Sequence, residues 1–178
     1  MLWQSSMSEL QLNRIGFYPV SARDYLDPLR MLKGYVERLI FCDIACTPRG
    51  AGELRELRHA VADEGLPEPS FLLGDAIFAM QCLRPVDVFF LRRDSGDGEG
   101  GSGLYLLGRE KLAKTLSMIV SGGLLVTDQR NGGDWFSAMV SRKRNEWDAG
   151  DCRLRLLTMQ PWADHRLFAF KVDRVLSL

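Results

Sequence analysis

The chain is 178 residues long, 46% hydrophobic and 26% charged, with 23 basic residues against 23 acidic ones. So even a balance leaves no long-range field to gather nucleic acid or an anionic membrane, and the length is that of one domain with room for a substantial core. No apolar run approaches the roughly 20 residues of a membrane span, and the start, MLWQSSMSEL, lacks the basic and apolar segments of a secretory signal. A cytoplasmic chain with no nucleic-acid and no membrane partner is therefore expected.

Residues 1–20 show no sustained period and are expected to form an irregular arm, with a leading helix over 21–37. Tyr25, Leu29, Leu32 and Val36 recur there at helical spacing, Ser21 is a candidate cap, and Pro28 suits a first turn. Arg38–Gly52, RLIFCDIACTPRGAG, is the most informative stretch. Arg38–Cys42 is nearly all apolar, as in a strand covered on both faces, and Asp43 closes it. Gly50 and Gly52 break the chain, and a helix over Glu53–Glu64 follows with Leu54, Leu57 and Val61 on its inner face. A strand that hands a loop to a helix N-terminus sets free backbone N–H groups at the carboxyl edge of a sheet. Open α/β folds hold nucleotide-like ligands there.

Ser70–Gly74 reads as a second short strand ending at Asp75, followed by a brief helix around Ile77–Leu83 and by Val86–Leu91, VDVFFL, as a central third strand. Arg92, Arg93, Asp94 and Ser95 leave that strand directly. Arg92, Arg93 and Ser95 are candidate substrate-binding residues, the guanidinium groups suiting an anion, and Asp94 is a candidate catalytic base. Ser95–Gly103 has too many glycines for a regular element and lacks the GK[ST] ending of a P-loop.

Gly108–Val120 is expected to be helical, with Leu112, Leu116 and Ile119 on one face and Gly122–Gly123 as its stop. Leu124–Thr127 is the next strand and Asp134–Arg144 the next helix. Arg153–Met159 and Leu167–Asp173, joined by the turn PWADHR, are expected to pair antiparallel as an edge hairpin. The alternation implies a single α/β domain: a three-layer Rossmann-like sandwich, with a mostly parallel sheet and a C-terminal antiparallel hairpin. Four cysteines and two histidines are too scattered for a zinc site, so no metal is expected, and Cys42 and Cys82 read as buried small hydrophobes. Neither His59 nor His165 has a Ser or Cys partner at triad spacing, and the four tryptophans form no aromatic platform.

The element order from Val36 to Val175 resembles the class I S-adenosylmethionine-dependent methyltransferases. In that family the first strand ends in an acid followed by a loop of the form D-x-G-x-G-x-G. The matching run Asp43-Ile44-Ala45-Cys46-Thr47-Pro48-Arg49-Gly50 keeps the acid, the small Ala45 and one glycine, a degenerate version of that loop. Gly74-Asp75-Ala76 resembles the segment whose aspartate lies near the adenine, and Gly122–Val126 resembles the entry into the family's fifth strand. Matched in this way, the chain has no room for the family's second strand, whose terminal acid holds the ribose hydroxyls.

The resemblance implies S-adenosylmethionine as cofactor, bound by Asp43, Ala45, Cys46, Gly50, Gly52, Asp75 and Ala76, with an acceptor presented near Asp94. The worn loop supports the alternative of a non-catalytic binding or assembly module. The acceptor, a small-molecule or protein partner, and a homo-oligomeric state are all left open by the residues.

Overall fold

Parallel strands can be joined only by a crossover, and the first half of the chain supplies one helix for each crossover it makes. The computed structural model describes residues 14–19, 25–44, 48, 50–92, 104–128, 130–141, 144–162 and 165–175. They fall into two compact units, Met1–Leu83 and Arg84–Leu178.

The first unit runs β1 (Ile15–Pro19), α1 (Leu26–Met31), β2 (Arg38–Asp43), α2 (Gly50–Glu64), β3 (Glu68–Leu73) and α3 (Ala76–Cys82). Its strands lie in the order β3-β2-β1, all parallel. β1 is in register with β2 from Ile15↔Arg38 to Pro19↔Cys42, and β2 with β3 from Arg38↔Glu68 to Asp43↔Leu73. Phe17, Tyr18, Leu29, Leu32 and Leu39 are fully buried. The Tyr25 ring stands edge-on to Phe41 and Phe71, which stack on each other at 5.6 Å. An ion pair at 2.6 Å joins Arg30 of α1 to Glu64 of α2, but both groups are exposed and the pair adds little stability.

β1 is a finding the sequence did not announce, since the arm expected to be irregular contains a strand. IGFYP has no polar–apolar alternation, and Gly and Pro are poor strand formers. The glycine is required by packing: a Cβ on Gly16 would lie 2.8 Å from the Leu39 side chain on β2. The leading helix is correspondingly short, six described residues in α1.

The second unit runs β4 (Val86–Leu91), α4 (Leu112–Ser117), β5 (Ile119–Thr127), a 3-10 turn (Arg130–Gly132), α5 (Gly133–Ser141), β6 (Glu146–Ala149), β7 (Cys152–Trp162) and β8 (His165–Arg174). β4 and β5 are parallel, and β8 joins β5 antiparallel from Gly123↔Val172 to Thr127↔Phe168. β7 pairs with β8 as an antiparallel hairpin. The α/β class and the C-terminal antiparallel pair are as the alternation implies.

Three details of this unit differ from expectation. The hairpin is not the edge, because the short β6 pairs outside it with β7. Much of PWADHR is strand, since β7 and β8 extend to Trp162 and His165. Gly122 and Gly123 do not stop a helix but lie inside β5, where the β4–β5 register jumps from Val86↔Ile119 to Val88↔Leu124. α4 has already ended at Ser117, and the Arg174 guanidinium donates to the Ser117 and Ile119 carbonyls at 3.0 and 3.1 Å, satisfying acceptors that a helix end leaves open.

The jump in register explains the second glycine. A Cβ on Gly123 would stand 2.7 Å from the Asp87 carbonyl oxygen and 2.7 Å from the Ile119 side chain. A backbone oxygen held in a sheet cannot step aside, so Gly123→Ala is expected to cost about 1–3 kcal/mol, the usual range for overpacking. Urea denaturation reads this directly, and an unchanged midpoint would show that the bulge yields freely.

Among the described residues no helix is long and apolar enough to cross a membrane, and no group of three or more His, Cys, Asp or Glu side chains is placed to hold a metal. The glycine-rich segment Ser95–Gly103 lies outside the described residues.

Candidate functional site

Because β2 and β3 run parallel, their last residues share one edge of the first unit's sheet. Asp43 ends β2 opposite Leu73, the last residue of β3, and its carbonyl accepts the Gly74 N–H at 3.0 Å. Asp75 follows at once as the N-cap of α3. Its backbone is extended (φ −70°, ψ 131°), its Oδ1 accepts the Phe78 N–H at 2.9 Å, and its carbonyl accepts the Ala79 N–H. Two carboxylates thus stand at neighbouring strand ends, Asp43 largely buried (9% exposed) and Asp75 exposed.

The Cys42 thiol registers both of them. It donates to the Gly74 carbonyl at 3.5 Å, and its pKa is pushed up to about 11, first by burial and then by the charges of Asp43 and Asp75. A thiol so protonated is no nucleophile at neutral pH.

Around the two acids lie apolar side chains that face water: Ile44 is 74% exposed, Leu73 64% and Phe78 66%. Large apolar groups left in solvent beside charged ones mark a surface open to a partner or a ligand. Sequence reasoning passed over these three residues. The signal available was an isoleucine directly after a strand-closing acid and a phenylalanine in the first turn of a helix.

The other sequence candidates scatter. Gly50 opens α2 with φ +75°, so its lack of a side chain answers a backbone requirement, whereas a Cβ on Gly52 would meet nothing within 4 Å. Ala76 is buried at 3% exposure, so it offers almost no surface to a ligand. Arg92 follows β4 in the second unit, is 2% exposed, and interacts within the protein. Ala45, Cys46, Arg93, Asp94 and Ser95 lie outside the described residues. Cys82, expected in the core, is exposed, because it ends α3 on the side away from the packed Ala76, Ala79 and Met80.

β1 changes the role of Asp43. With Ile15–Pro19 as the first strand, Asp43 closes the second parallel strand, and the missing strand–helix unit turns out to be β2 with α2. The connection that follows the first strand is then the one leading from Pro19 to α1. No glycine stands between Gly16 and Gly34.

No family model matches the chain. No curated protein is similar to it in sequence. Solved structures are similar in fold. A protein of Streptococcus mutans taken for a methyltransferase, in complex with SAH, superposes with a TM-score of 0.55 at 13% identity, over 97% of this chain and 96% of its own. An rRNA methylase from Streptococcus thermophilus gives 0.52 at 12% identity, over 97% and 94%. A methyltransferase from Geobacter sulfurreducens gives 0.50 at 16% identity, over 89% and 70%. At these identities the likeness is one of fold. The chain has the Rossmann-like fold of the class I S-adenosylmethionine-dependent methyltransferases.

Proposed function

We propose that the chain is an S-adenosylmethionine-dependent methyltransferase whose first unit holds the adenosyl group along the edge formed by Asp43 and Asp75. The observation that carries this reading is the placement of Asp43 at the end of the second parallel strand, with Asp75 two residues past the end of the third, at the N-terminus of α3. In dinucleotide-binding α/β folds an acid beyond the first βα unit accepts the ribose hydroxyls, and a strand-end carboxylate offers enough lone pairs for both of them.

The residues present fit such a group. Asp43, which also interacts within the protein, brings carboxylate lone pairs that can accept from a vicinal diol. The Oδ2 of Asp75 is available for an exocyclic amine, its Oδ1 being bound to the Phe78 N–H. The exposed Ile44, Leu73 and Phe78 offer apolar surface for a purine face. When bound, S-adenosylmethionine supplies a methyl group already activated on a sulfonium. What remains for the chain is chiefly to hold the acceptor in line, with at most one base, for which Asp94 is the sequence candidate, and with Arg93 and Ser95 as acceptor contacts.

The glycine-free connection between β1 and α1 favours a second reading, a non-catalytic binding or assembly module on the same fold. A calorimetric titration with S-adenosylhomocysteine separates the two. The enzyme reading expects saturable binding, and at a hundredfold excess over the dissociation constant about 2.7 kcal/mol of added stability in a melt. A flat trace at millimolar ligand would leave only the module.

A further inference from the structure

The opposite, amino edge of the same β3-β2-β1 sheet carries a cavity of about 280 Å³ lined by Arg14, Ile15, Glu37, Arg38 and Glu68. Four of these five residues are charged, and the parallel register sets them abreast. Ile15, Arg38 and Glu68 are partners across the three strands, while the Glu37 N–H donates to the Arg14 carbonyl at 2.8 Å and the Glu68 N–H to the Glu37 carbonyl at 2.7 Å. A strand start is an ordinary place for charge. Two charges of each sign lining one cavity are not.

Half of that charge is already matched. Arg38 donates to Glu68 at 2.8 Å, so these two satisfy each other. Arg14 gives its Nη2 to the Gly34 carbonyl at 3.1 Å, but its Nη1 lies buried with no acceptor. Glu37 is exposed, and among the described residues its carboxylate enters no ion pair. The residues of the lining therefore include one buried guanidinium nitrogen without an acceptor and, among the described residues, one carboxylate without an ion pair. A charged donor held away from water without an acceptor is unfavourable, and a rotation of the flexible guanidinium toward the cavity relieves it by offering it an oxygen, that of water or of a ligand carboxylate.

We infer that this cavity binds a small zwitterion of the α-amino acid type, its carboxylate on Arg14 and its ammonium on Glu37. A simple anion would meet Glu37 and Glu68 as well as the arginines, and a simple cation would meet Arg14 and Arg38. A molecule carrying both charges offers a partner to each leftover group at once. The volume lies at the small end of ligand pockets, enough for one amino acid and too little for a nucleotide. Ile15 is the one apolar lining residue among those described, so these residues offer little to a large apolar side chain.

The test is titration of the full chain with L-alanine, followed by amide chemical shifts, with acetate and methylammonium as the two half-ligands. The inference expects saturable millimolar binding of L-alanine, and each half-ligand weaker by about tenfold or more, the worth of one modest charged contact. Arg14→Gln and Glu37→Gln should each weaken L-alanine binding by a similar factor. Glu37 is exposed, so its variant keeps the fold and decides the matter even if the Arg14 variant does not. No saturation by about 50 mM, far weaker than specific recognition, would overturn the inference. So would acetate binding as well as L-alanine, or a Glu37→Gln titration indistinguishable from wild type. Asp43 and Asp75 stand at the other end of the strands, and S-adenosylhomocysteine itself carries an α-amino acid group. The residues whose amide shifts move, and the Glu37→Gln variant beside Asp43→Asn, therefore tell which edge that ligand occupies.

Discussion

Replacing Phe89 by alanine is expected to lower stability by about 3–5 kcal/mol, the range for truncating a buried phenylalanine. The side chain is fully buried, as are its neighbours Val88, Phe90 and Leu91. Successive residues of a strand point to opposite faces, so burial at four in a row means that β4 is covered on both sides. Its partner across the ladder is Leu125 of β5, also fully buried, which has no freedom to fill the gap. A cavity left there removes both the transfer free energy of the ring and the contacts around it. Equilibrium unfolding in urea, read as a shift of midpoint at constant slope, measures the loss. A change below about 1 kcal/mol would mean that the surroundings collapse onto the site, against the packing seen.

Asp43→Asn is expected to weaken S-adenosylhomocysteine binding by about tenfold or more. A hydrogen bond to a charged group contributes about 1.5–3 kcal/mol, and 1.4 kcal/mol is a factor of ten in affinity. The substitution keeps the size of the side chain and removes the charge, so the fold should survive it. Asp75→Asn makes the companion test. The asparagine oxygen can still accept the Phe78 N–H, and Asn is as good a cap as Asp, so α3 is preserved while an acceptor toward the adenine edge is lost. Asp43 closes β2 and Asp75 follows the end of neighbouring β3, so their losses should not add freely if both touch one ligand. Calorimetric titrations of wild type and the two variants decide it. Affinity unchanged in both variants, with the fold intact, would remove the adenosyl group from this edge.

The elements read correctly from the chain are those whose own residues demand them. VDVFFL and RLIFC are too apolar to be anything but covered strands, and their observed bounds, Val86–Leu91 and Arg38–Asp43, match the sequence reading. α3 carries its own cap, and α2 its helical spacing. But α2 begins at Gly50, so the two glycines expected to break the chain lie inside it, and of Leu54, Leu57 and Val61 only Leu57 is buried. Gly108–Val120 misled because Leu112, Leu116 and Ile119 satisfy a helical period, and all three are indeed buried. Yet Ile119 is buried as the first residue of β5 rather than as a further turn of α4. β6 escaped notice because EWDA is only four residues long, with two acids among them. It exists by pairing with β7 and by the Trp147 indole, which is buried and donates to the Met139 carbonyl at 2.7 Å.

By itself the sequence determined the fold class, the strand-closing Asp43, and the antiparallel pair at the end of the chain. Asp75, read as the end of a strand, is the cap of α3 two residues beyond it. Hydrophobic period and turn chemistry are local properties, legible residue by residue. Only the tertiary structure decided that Ile15–Pro19 is a strand, and with it that Asp43 ends the second parallel strand and not the first. IGFYP has no pattern of its own to make it a strand. Its extended backbone is held by ladder bonds to β2, in register from Ile15↔Arg38 to Pro19↔Cys42, and by a glycine that lets Leu39 close over it. A strand stabilised by its partner rather than by its own residues becomes visible only when the partner is in place, because the hydrogen bonds that define it belong to both.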